Sequence, residues 1–305
     1  MPAAEVEVSA ELVQRLLADQ HRDLARLPVE FLANGWDNEL YRVGDRLVAR
    51  LPRRGPAAEI IKNEQRWLPQ LAPRLPLPIP YPERTGGPGR GYPYSWSVVP
   101  YLRGMPAAEA PFDPAEAAAA VGGFLGALHV PAPGDAPANP FRGVPLADRA
   151  GSFAANLALL NGHASPAGQA SQDQVDRDVV VRAWDAALAA PGYGGPPVWL
   201  HGDPHPSNIL VHDGQVSGVI DFGDITAGDP ASDLSVAWML LPLEHQAGFW
   251  SAYQEAGGGG DDALRARARG WALNFAIVFL AHSEDNPVLR DVGRRTLGTV
   301  LADQP

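Results

Sequence analysis

At 305 residues, the chain is long for one domain and comfortable for two, and a 46% hydrophobic content is enough to bury a large core. It contains no cysteine, which excludes disulfides, thiolate nucleophiles and zinc–thiolate sites. A net charge of −11, from 24 basic and 35 acidic residues, argues against a nucleic-acid partner.

The chain also lacks the features of an exported or membrane-spanning protein. Its first residues carry acidic side chains rather than the basic region and apolar core of a signal peptide. The longest apolar stretch, about 271–281, falls well short of the ~20 residues that a membrane span needs. We therefore expect a soluble cytoplasmic protein. The sequence does not decide its oligomeric state, and monomer and homodimer both stay open.

The first hundred residues mix helix and strand. Apolar spacing predicts a helix over 11–26, and strands over 38–43 and 46–51 meet at a Gly44-Asp45 turn. A second helix is predicted over 57–71, although Pro69 should end or kink it early. After a proline-rich stretch and a loop at 85–91, a strand over 94–102 closes this half.

The pattern then becomes mainly helical. Helices are predicted over 114–129 and 173–190, separated by a connection rich in proline and glycine. Short strands are predicted over 198–200, 209–211 and 216–221, and the remainder is helical with a flexible break at 257–260. The sequence predicts an α+β protein of two lobes, a β-rich lobe over 1–102 and a helical lobe over 103–305.

The segment 198–234 concentrates the polar chemistry of the chain. It places histidine, aspartate and asparagine side chains in loops at the ends of short apolar strands. Asp203 precedes Asn208 by five positions, and an Asp-Phe-Gly triplet begins at Asp221. Protein kinases have the same five-residue spacing and the same triplet.

These residue types suit phosphoryl transfer. One carboxylate must orient the attacking hydroxyl and accept its proton, a role for Asp203. Mg²⁺ prefers oxygen ligands, so the Asn208 amide oxygen and the Asp221 carboxylate are the predicted pair of ligands. Asp229 and Asp233 more readily cap the following helix or hold loop backbone than touch a substrate.

Two other functions use the same segment. His201, Asp203 and His205 form a His-x-Asp-x-His pattern, which is also typical of a metal-dependent hydrolase. That reading leaves Asn208 and the Asp-Phe-Gly triplet unexplained. A non-catalytic nucleotide-binding protein is the third alternative, but a binding module has no need of a base at Asp203.

The strings HGDPHPSN, IDFGD and GDPASDL resemble the aminoglycoside phosphotransferase family, a branch of the protein-kinase-like fold. LVARLPRR, NEQRWLPQLAP and GYPYSWSVVPYLRG resemble the first lobe of the same family, so the likeness covers most of the chain. The resemblance implies a two-lobe kinase-like fold. It also implies transfer of the γ-phosphoryl group of ATP or GTP, with Mg²⁺, to a hydroxyl of a small molecule.

A kinase-like site needs a cation on the third strand and a glutamate on the following helix. The only lysine, Lys62, lies in the predicted helix, so Arg50 takes the strand position. Glu64 shares an apolar helix face with Ile60 and Trp67, and Glu59 points away, so we pair Arg50 with Glu64.

Other nucleotide contacts are predicted from position. There is no P-loop sequence and no G-x-G-x-x-G. Residues 34–38 occupy the strand–loop–strand position, where Gly35 and Asn38 are expected beside the phosphates. The resemblance makes 98–102 the hinge, with Val99 and Tyr101 at the purine.

The acceptor is left open by the sequence. An aminoglycoside would favour carboxylates, for which Asp224, Glu284 and Asp285 are candidates, with Glu244 as a further one. A macrolide antibiotic would favour an apolar wall, which several aromatic residues could supply if they are not simply core. Those residues are Trp238, Trp250, Trp271, Phe275 and Phe279.

Overall fold

The computed structural model describes residues 3–162 and 175–303. The described chain divides into two compact units. The first unit runs to Arg103 and also includes Gly218–Gly223, and the second comprises the rest. An antiparallel sheet dominates the first unit and helices dominate the second, as the predicted α+β fold class requires.

Five antiparallel strands form the sheet of the first unit, in the order β1-β2-β3-β5-β4. Their bounds are β1 Val29–Asn34, β2 Asn38–Val43, β3 Leu47–Pro52, β4 Arg84–Gly86 and β5 Trp96–Pro100. Gly44, at φ +57°, makes the tight turn between β2 and β3 that the sequence predicts. β1 and β4 were not among the predicted strands.

The two faces of this sheet carry different helices. Alternate residues of β3, Ala49 and Leu51, are fully buried in a cluster with the apolar side of α1, Ala10–Gln20. Arg50 lies between them in sequence, so its side chain emerges on the opposite face, where it meets α2, Gly55–Leu71. Because side chains alternate along β3, Ala49 and Leu51 face the core and Arg50 faces α2 on the other side of the sheet.

Both helices differ from their predicted ends. α1 stops at Gln20 rather than at 26, because His21 leaves the helical conformation at φ −138°, and turns follow. α2 continues through Pro69 to Leu71. Pro69 has no N–H to donate to the Gln65 carbonyl, so the helix lacks that hydrogen bond, and it ends two residues further on.

The second unit contains eight of the helices in the described chain, and its interior is filled by buried aromatic and aliphatic side chains. Their bounds are α3 Pro114–Leu128, α4 Ala150–Gly162, α5 Arg177–Leu188, α6 Ala231–Leu234, α7 Val236–Leu240, α8 Leu243–Glu255, α9 Asp262–His282 and α10 Pro287–Ala302. The predicted helix over 173–190 begins at Arg177, and residues 173 and 174 lie outside the described residues. α4 was not predicted.

Short strands frame the polar segment of the chain. Two small sheets, β10-β7 and β6-β8-β9, have antiparallel pairs. Their strands are β6 Met105–Pro106, β7 Val198–Leu200, β8 Ile209–His212, β9 Gln215–Val219 and β10 Thr226–Gly228. The loop between β7 and β8 contains Asp203 and Asn208, and the loop between β9 and β10 contains Asp221.

None of the described helices combines the length and apolar character needed to cross a bilayer. Even α9, with 21 residues, includes three arginines in its first half.

Candidate active site

A buried aspartate holds the start of the β7–β8 loop. Asp233, in α6, is fully buried and accepts hydrogen bonds from the backbone N–H groups of His201 (2.7 Å) and Gly202 (3.0 Å). His129 Nε2 lies 3.3 Å from the same carboxylate. Asp233 therefore holds loop backbone, as the sequence predicts, and it fixes the residues immediately before Asp203.

Gly202 is required at its position in this loop. Its φ is +91°, and a Cβ there would lie 2.2 Å from the carbonyl oxygen of Asp224. Close approach of the two segments thus brings Asp203 beside the chain that follows the Asp-Phe-Gly triplet.

Asp203 lies among positively charged and hydrogen-bonding side chains. Arg142 Nη2 donates to Oδ1 at 3.0 Å, and His205 Nε2 lies 3.4 Å from Oδ2. Burial alone would raise the pKa of Asp203, but the charge and hydrogen bond of His205, followed by Arg142 and His201, hold it well below its usual range. The carboxylate is ionised and about a quarter exposed, as a hydroxyl-orienting base must be.

Asn208 is oriented by the same loop. Its Nδ2 donates to the backbone carbonyl of Asp203 at 3.0 Å, so the amide nitrogen is committed to the loop. The amide oxygen Oδ1 is then the atom that a cation would meet. An amide oxygen in this orientation fits the predicted role of Asn208 as a Mg²⁺ ligand.

The two histidines brace the loop. His201 Nδ1 accepts the N–H of Asp203 at 3.1 Å, and His205 Nδ1 accepts that of Ser207 at 3.2 Å. Within residues 3–162 and 175–303, no group of three or more His, Cys, Asp or Glu side chains is arranged to hold a metal ion. The hydrolase alternative, built on His201, Asp203 and His205, therefore finds no ligand cluster in the described chain.

Asp221 belongs to the first unit and has a left-handed backbone. Its φ of +65° is uncommon for a residue other than glycine and is typical of functional loops. Burial raises the pKa of Glu64 and the negative charge of Asp221 raises it further, so the two carboxylates repel each other. Asp221 itself is exposed, so its carboxylate is accessible to a divalent cation.

The predicted ion pair between Arg50 and Glu64 is present. It is bidentate, with distances of 2.6 Å and 3.1 Å, and the side chains are only 9% and 1% exposed. Burial raises the pKa of Glu64 although Arg50 opposes that shift. Lys62, by contrast, is a surface residue paired with Glu59.

The loop between β1 and β2 is closed by its own backbone. The Gly35 N–H donates to the Asn38 carbonyl at 2.9 Å, so this amide is already used. Arg54 pairs with Asp37 at 2.7 Å and ties the loop to the start of α2. Asn38 Oδ1 is buried without a hydrogen-bond partner in the described chain.

The predicted hinge residues differ in exposure. Val99 is buried and pairs with Val48 of β3. Tyr101 is half-buried, its ring lies 3.5 Å from the Arg42 guanidinium carbon, and its N–H donates to the Arg46 carbonyl at 2.7 Å. A purine contact by Tyr101 would thus use its carbonyl rather than its N–H.

The acceptor candidates divide by position. Asp224 accepts a hydrogen bond from Asn139 at 2.8 Å and lies 3.7 Å from Arg142, within the surroundings of Asp203. Glu284 and Asp285 are exposed in the turn between α9 and α10. The five candidate aromatic residues are all buried, which makes them chiefly core.

Two of those aromatic residues also contact the catalytic surroundings. The Arg142 guanidinium lies 4.8 Å from the ring centroid of Phe275, and the ring of Phe279 meets that of His205 edge-on at 5.6 Å. α9 thus supplies the apolar floor beneath Arg142 and His205.

Asp229 takes part in a buried ion pair. Its carboxylate accepts the N–H of Ala231 at the start of α6, and Arg267 Nε donates to it at 2.8 Å. It anchors the segment after the Asp-Phe-Gly triplet to α9, in keeping with its predicted capping role.

Sequence reasoning missed Arg142 and Asn139. Both lie in the proline- and glycine-rich connection after α3, which has no periodicity to predict where its side chains point. The one available signal was the scarcity of lysine, which leaves nearly all cationic roles to arginine.

The family comparison covers most of the chain. A sequence model described as "Phosphotransferase enzyme family" matches residues 28–271. The matched range includes Arg50, Glu64, Asp203, Asn208 and Asp221. No curated protein matches the chain significantly.

Solved structures of similar fold span almost the whole chain. Macrolide 2'-phosphotransferase MphH from Brachybacterium faecium is 22% identical, with a TM-score of 0.59, over 97% of this chain and 98% of that one. The GDP and kanamycin complex of APH(2")-IIia is 18% identical, with a TM-score of 0.65, over 96% and 99%. Macrolide 2'-phosphotransferase type I is 20% identical, with a TM-score of 0.60, over 95% and 98%.

Proposed function

The chain belongs to the phosphotransferase enzyme family, and we propose that it moves the γ-phosphoryl group of ATP or GTP to a hydroxyl of a small molecule. The observation that carries this proposal is the surroundings of Asp203. An ionised carboxylate there is held by Arg142 and His205 beside an asparagine whose amide oxygen suits Mg²⁺.

Each residue has a defined task in the reaction. Asp203 accepts a hydrogen bond from the acceptor hydroxyl, orients it and takes its proton as the oxygen bonds to the γ-phosphorus. The bond from that phosphorus to the β–γ bridging oxygen breaks, and the nucleoside diphosphate leaves. Arg50, oriented by Glu64, donates to the nucleotide phosphates.

Asn208 and Asp221 would hold Mg²⁺, which neutralises phosphate charge when it is bound. The cation would also offset the repulsion between Asp221 and Glu64. Near the nucleotide, we assign Gly35 and Asn38 to the phosphates and Val99 and Tyr101 to the purine. The Gly35 and Tyr101 N–H groups already donate to backbone carbonyls, so neither group is assigned a hydrogen bond to the nucleotide.

For the acceptor, we propose a small molecule with a free hydroxyl and do not commit to one compound class. Structures of similar fold are described with kanamycin, gentamicin and streptomycin, and others are macrolide phosphotransferases. We therefore place antibiotics of both kinds in the acceptor panel, with nucleosides and amino alcohols beside them. Asp224, Glu284 and Asp285 remain the proposed acceptor contacts.

The test is phosphate transfer by wild type and Asp203→Asn. Each acceptor is incubated with Mg²⁺ and either γ-labelled ATP or γ-labelled GTP. We expect the variant to lose about 10³-fold or more in kcat with some acceptor, while the Kd for ADP or GDP stays within about twofold. Full turnover by Asp203→Asn, or no transfer to any acceptor by wild type, would refute the proposal.

A further inference from the structure

A loop segment lies along the chain that follows the Asp-Phe-Gly triplet. We call residues 137–143 the strap. Three hydrogen bonds fasten it: Thr226 Oγ1 donates to the Pro137 carbonyl (2.8 Å), Asn139 Nδ2 to Asp224 Oδ1 (2.8 Å), and the Asp229 N–H to the Gly143 carbonyl (2.9 Å). The strap is thus held at both ends and in the middle.

Close packing sets the path of the strap near its end. Gly143 has a φ of +66°, and a Cβ on Gly228 would lie 2.1 Å from the Gly143 carbonyl oxygen. Larger residues at these positions would force the two segments apart. Since Arg142 immediately precedes Gly143, this crossing determines where its side chain begins.

The strap places Arg142 between two carboxylates. Its Nη2 is 3.0 Å from Asp203 Oδ1 and 3.7 Å from Asp224 Oδ2, and its side chain is 20% exposed. A second arginine, Arg149, lies near enough that burial and the Arg142 charge together lower its pKa. The Arg149 guanidinium carbon lies 5.4 Å from the ring centroid of Phe141, the residue before Arg142, so the two guanidinium groups are neighbours and Arg142 is the one that contacts Asp203.

Both guanidinium groups have a donor without a partner. The Nε atoms of Arg142 and Arg149 are buried, and neither makes a hydrogen bond within the described residues. A buried donor of this kind is rare in folded proteins unless a ligand or water satisfies it. The exposed fifth of the Arg142 side chain is the part that a ligand can reach, and its positive charge attracts oxygen atoms and repels ammonium groups.

We propose that Arg142 makes the acceptor site select compounds that present oxygen atoms, rather than ammonium groups, around the reacting hydroxyl. The inference rests on the function proposed above and narrows its acceptor class. Arg142 acts here as a specificity residue, because its charge offsets the carboxylates that would otherwise attract a polyamine. Hydroxyl-, carbonyl- or carboxylate-rich compounds with few amines fit this site best.

Spermine binding tests the charge effect without turnover. Its Kd is measured by equilibrium dialysis at low ionic strength for wild type, Arg142→Ala and Arg142→Lys. We expect Arg142→Ala to bind spermine about tenfold more tightly than wild type, and Arg142→Lys to resemble wild type. Equal affinity in all three proteins would overturn the proposal.

Two controls separate the site from the acidic surface. Arg295→Ala removes an arginine on α10 that is 53% exposed and lies near Asp291, so it changes net charge equally and should leave spermine affinity within about twofold. Adding Asp203→Asn to Arg142→Ala should remove most of the gain. A gain that survives in the double variant comes from elsewhere on the surface and overturns the assignment.

Turnover supplies the second measurement. The ratio of kcat/KM for kanamycin to that for an acceptor of the panel without an ammonium group, such as the nucleoside uridine, should rise about tenfold in Arg142→Ala, mainly through a lower KM for kanamycin. An unchanged ratio counts against the proposal. If wild type transfers phosphate to no acceptor, the proposed function fails, while the spermine measurement still decides the charge preference.

Discussion

Asp203 lies in the β7–β8 loop, and Asp233, in α6, holds the start of that loop. The two carboxylates have opposite surroundings. Asp233 is fully buried and accepts two backbone N–H groups, so its charge serves the fold. Asp203 keeps a quarter of its side chain exposed and is surrounded by side chains that carry or share protons. In the sequence the two aspartates differ only in position. In the structure they differ in access, because the Asp233 oxygens are used by backbone N–H groups and the Asp203 carboxylate can still bind a ligand.

The low pKa of Asp203 predicts how pH acts on the reaction. Asp203 must be ionised to work, so activity is lost as pH falls through its pKa. Removing the Arg142 charge raises that pKa, because one of the groups that oppose burial is gone. The acid limb of kcat/KM should therefore move to higher pH in Arg142→Met.

The measurement is a profile of kcat/KM from pH 3 to pH 7 with the best acceptor of the panel. Arg295→Ala serves as the charge-matched control and should keep the wild-type acid limb. A limb that stays in place in Arg142→Met would show that Arg142 does not hold the charge of Asp203.

At the scale of elements, regular segments could be predicted and irregular ones could not. Alternation along β3 and the apolar face of α2 were sufficient to pair Arg50 with Glu64, because strand and helix periodicity determine where side chains point. Arg142 lies in a connection without periodicity, and its direction depends on the contact of Gly143 with Gly228. That contact joins segments 85 positions apart, which local pattern cannot show.

The strand–helix pair makes a prediction about stability and binding together. Glu64→Leu leaves Arg50 buried without its partner, so we expect a loss of about 3–5 kcal/mol in the free energy of unfolding. Arg50→Met combined with Glu64→Leu replaces the pair by apolar side chains and should recover most of that loss. Nucleotide affinity should stay reduced by about 100-fold in the double variant, since the phosphate cation is gone.

Urea unfolding and calorimetric titration with Mg·ADP provide the two readouts. The exposed pair Lys62–Glu59 of the same helix is the matched control, and its removal should change neither quantity appreciably. Recovery of nucleotide affinity along with stability in the double variant would contradict the role assigned to Arg50.

At the scale of the whole molecule, one short segment of the second half of the chain belongs to the first compact unit. Gly218–Gly223 follows the Asp203 loop in sequence but groups with the first unit, where Asp221 lies near Glu64. The spacing of Asp203, Asn208 and Asp221 was readable from the sequence, but this grouping was not, because it depends on long-range contacts such as that of the Val219 N–H with the Pro78 carbonyl. Because the proposed metal ligand Asp221 groups with the unit that contains Arg50 and Glu64, we expect metal and nucleotide to increase the stability of the protein together.

Ligand binding should therefore stabilise the chain only when both are present. Mg·ADP or Mg·GDP at about 100 times its Kd contributes about 2.7 kcal/mol, which raises the unfolding midpoint by several degrees. Chelation with EDTA should remove most of this increase, because Asp221 and Glu64 then repel each other without a cation. The variant Asp221→Asn should also remove most of it, because the metal then lacks its carboxylate ligand. Asp203→Asn should retain it, since Asp203 serves the acceptor. Differential scanning fluorimetry checks each case, and stabilisation by Zn²⁺ without nucleotide would favour the hydrolase reading instead.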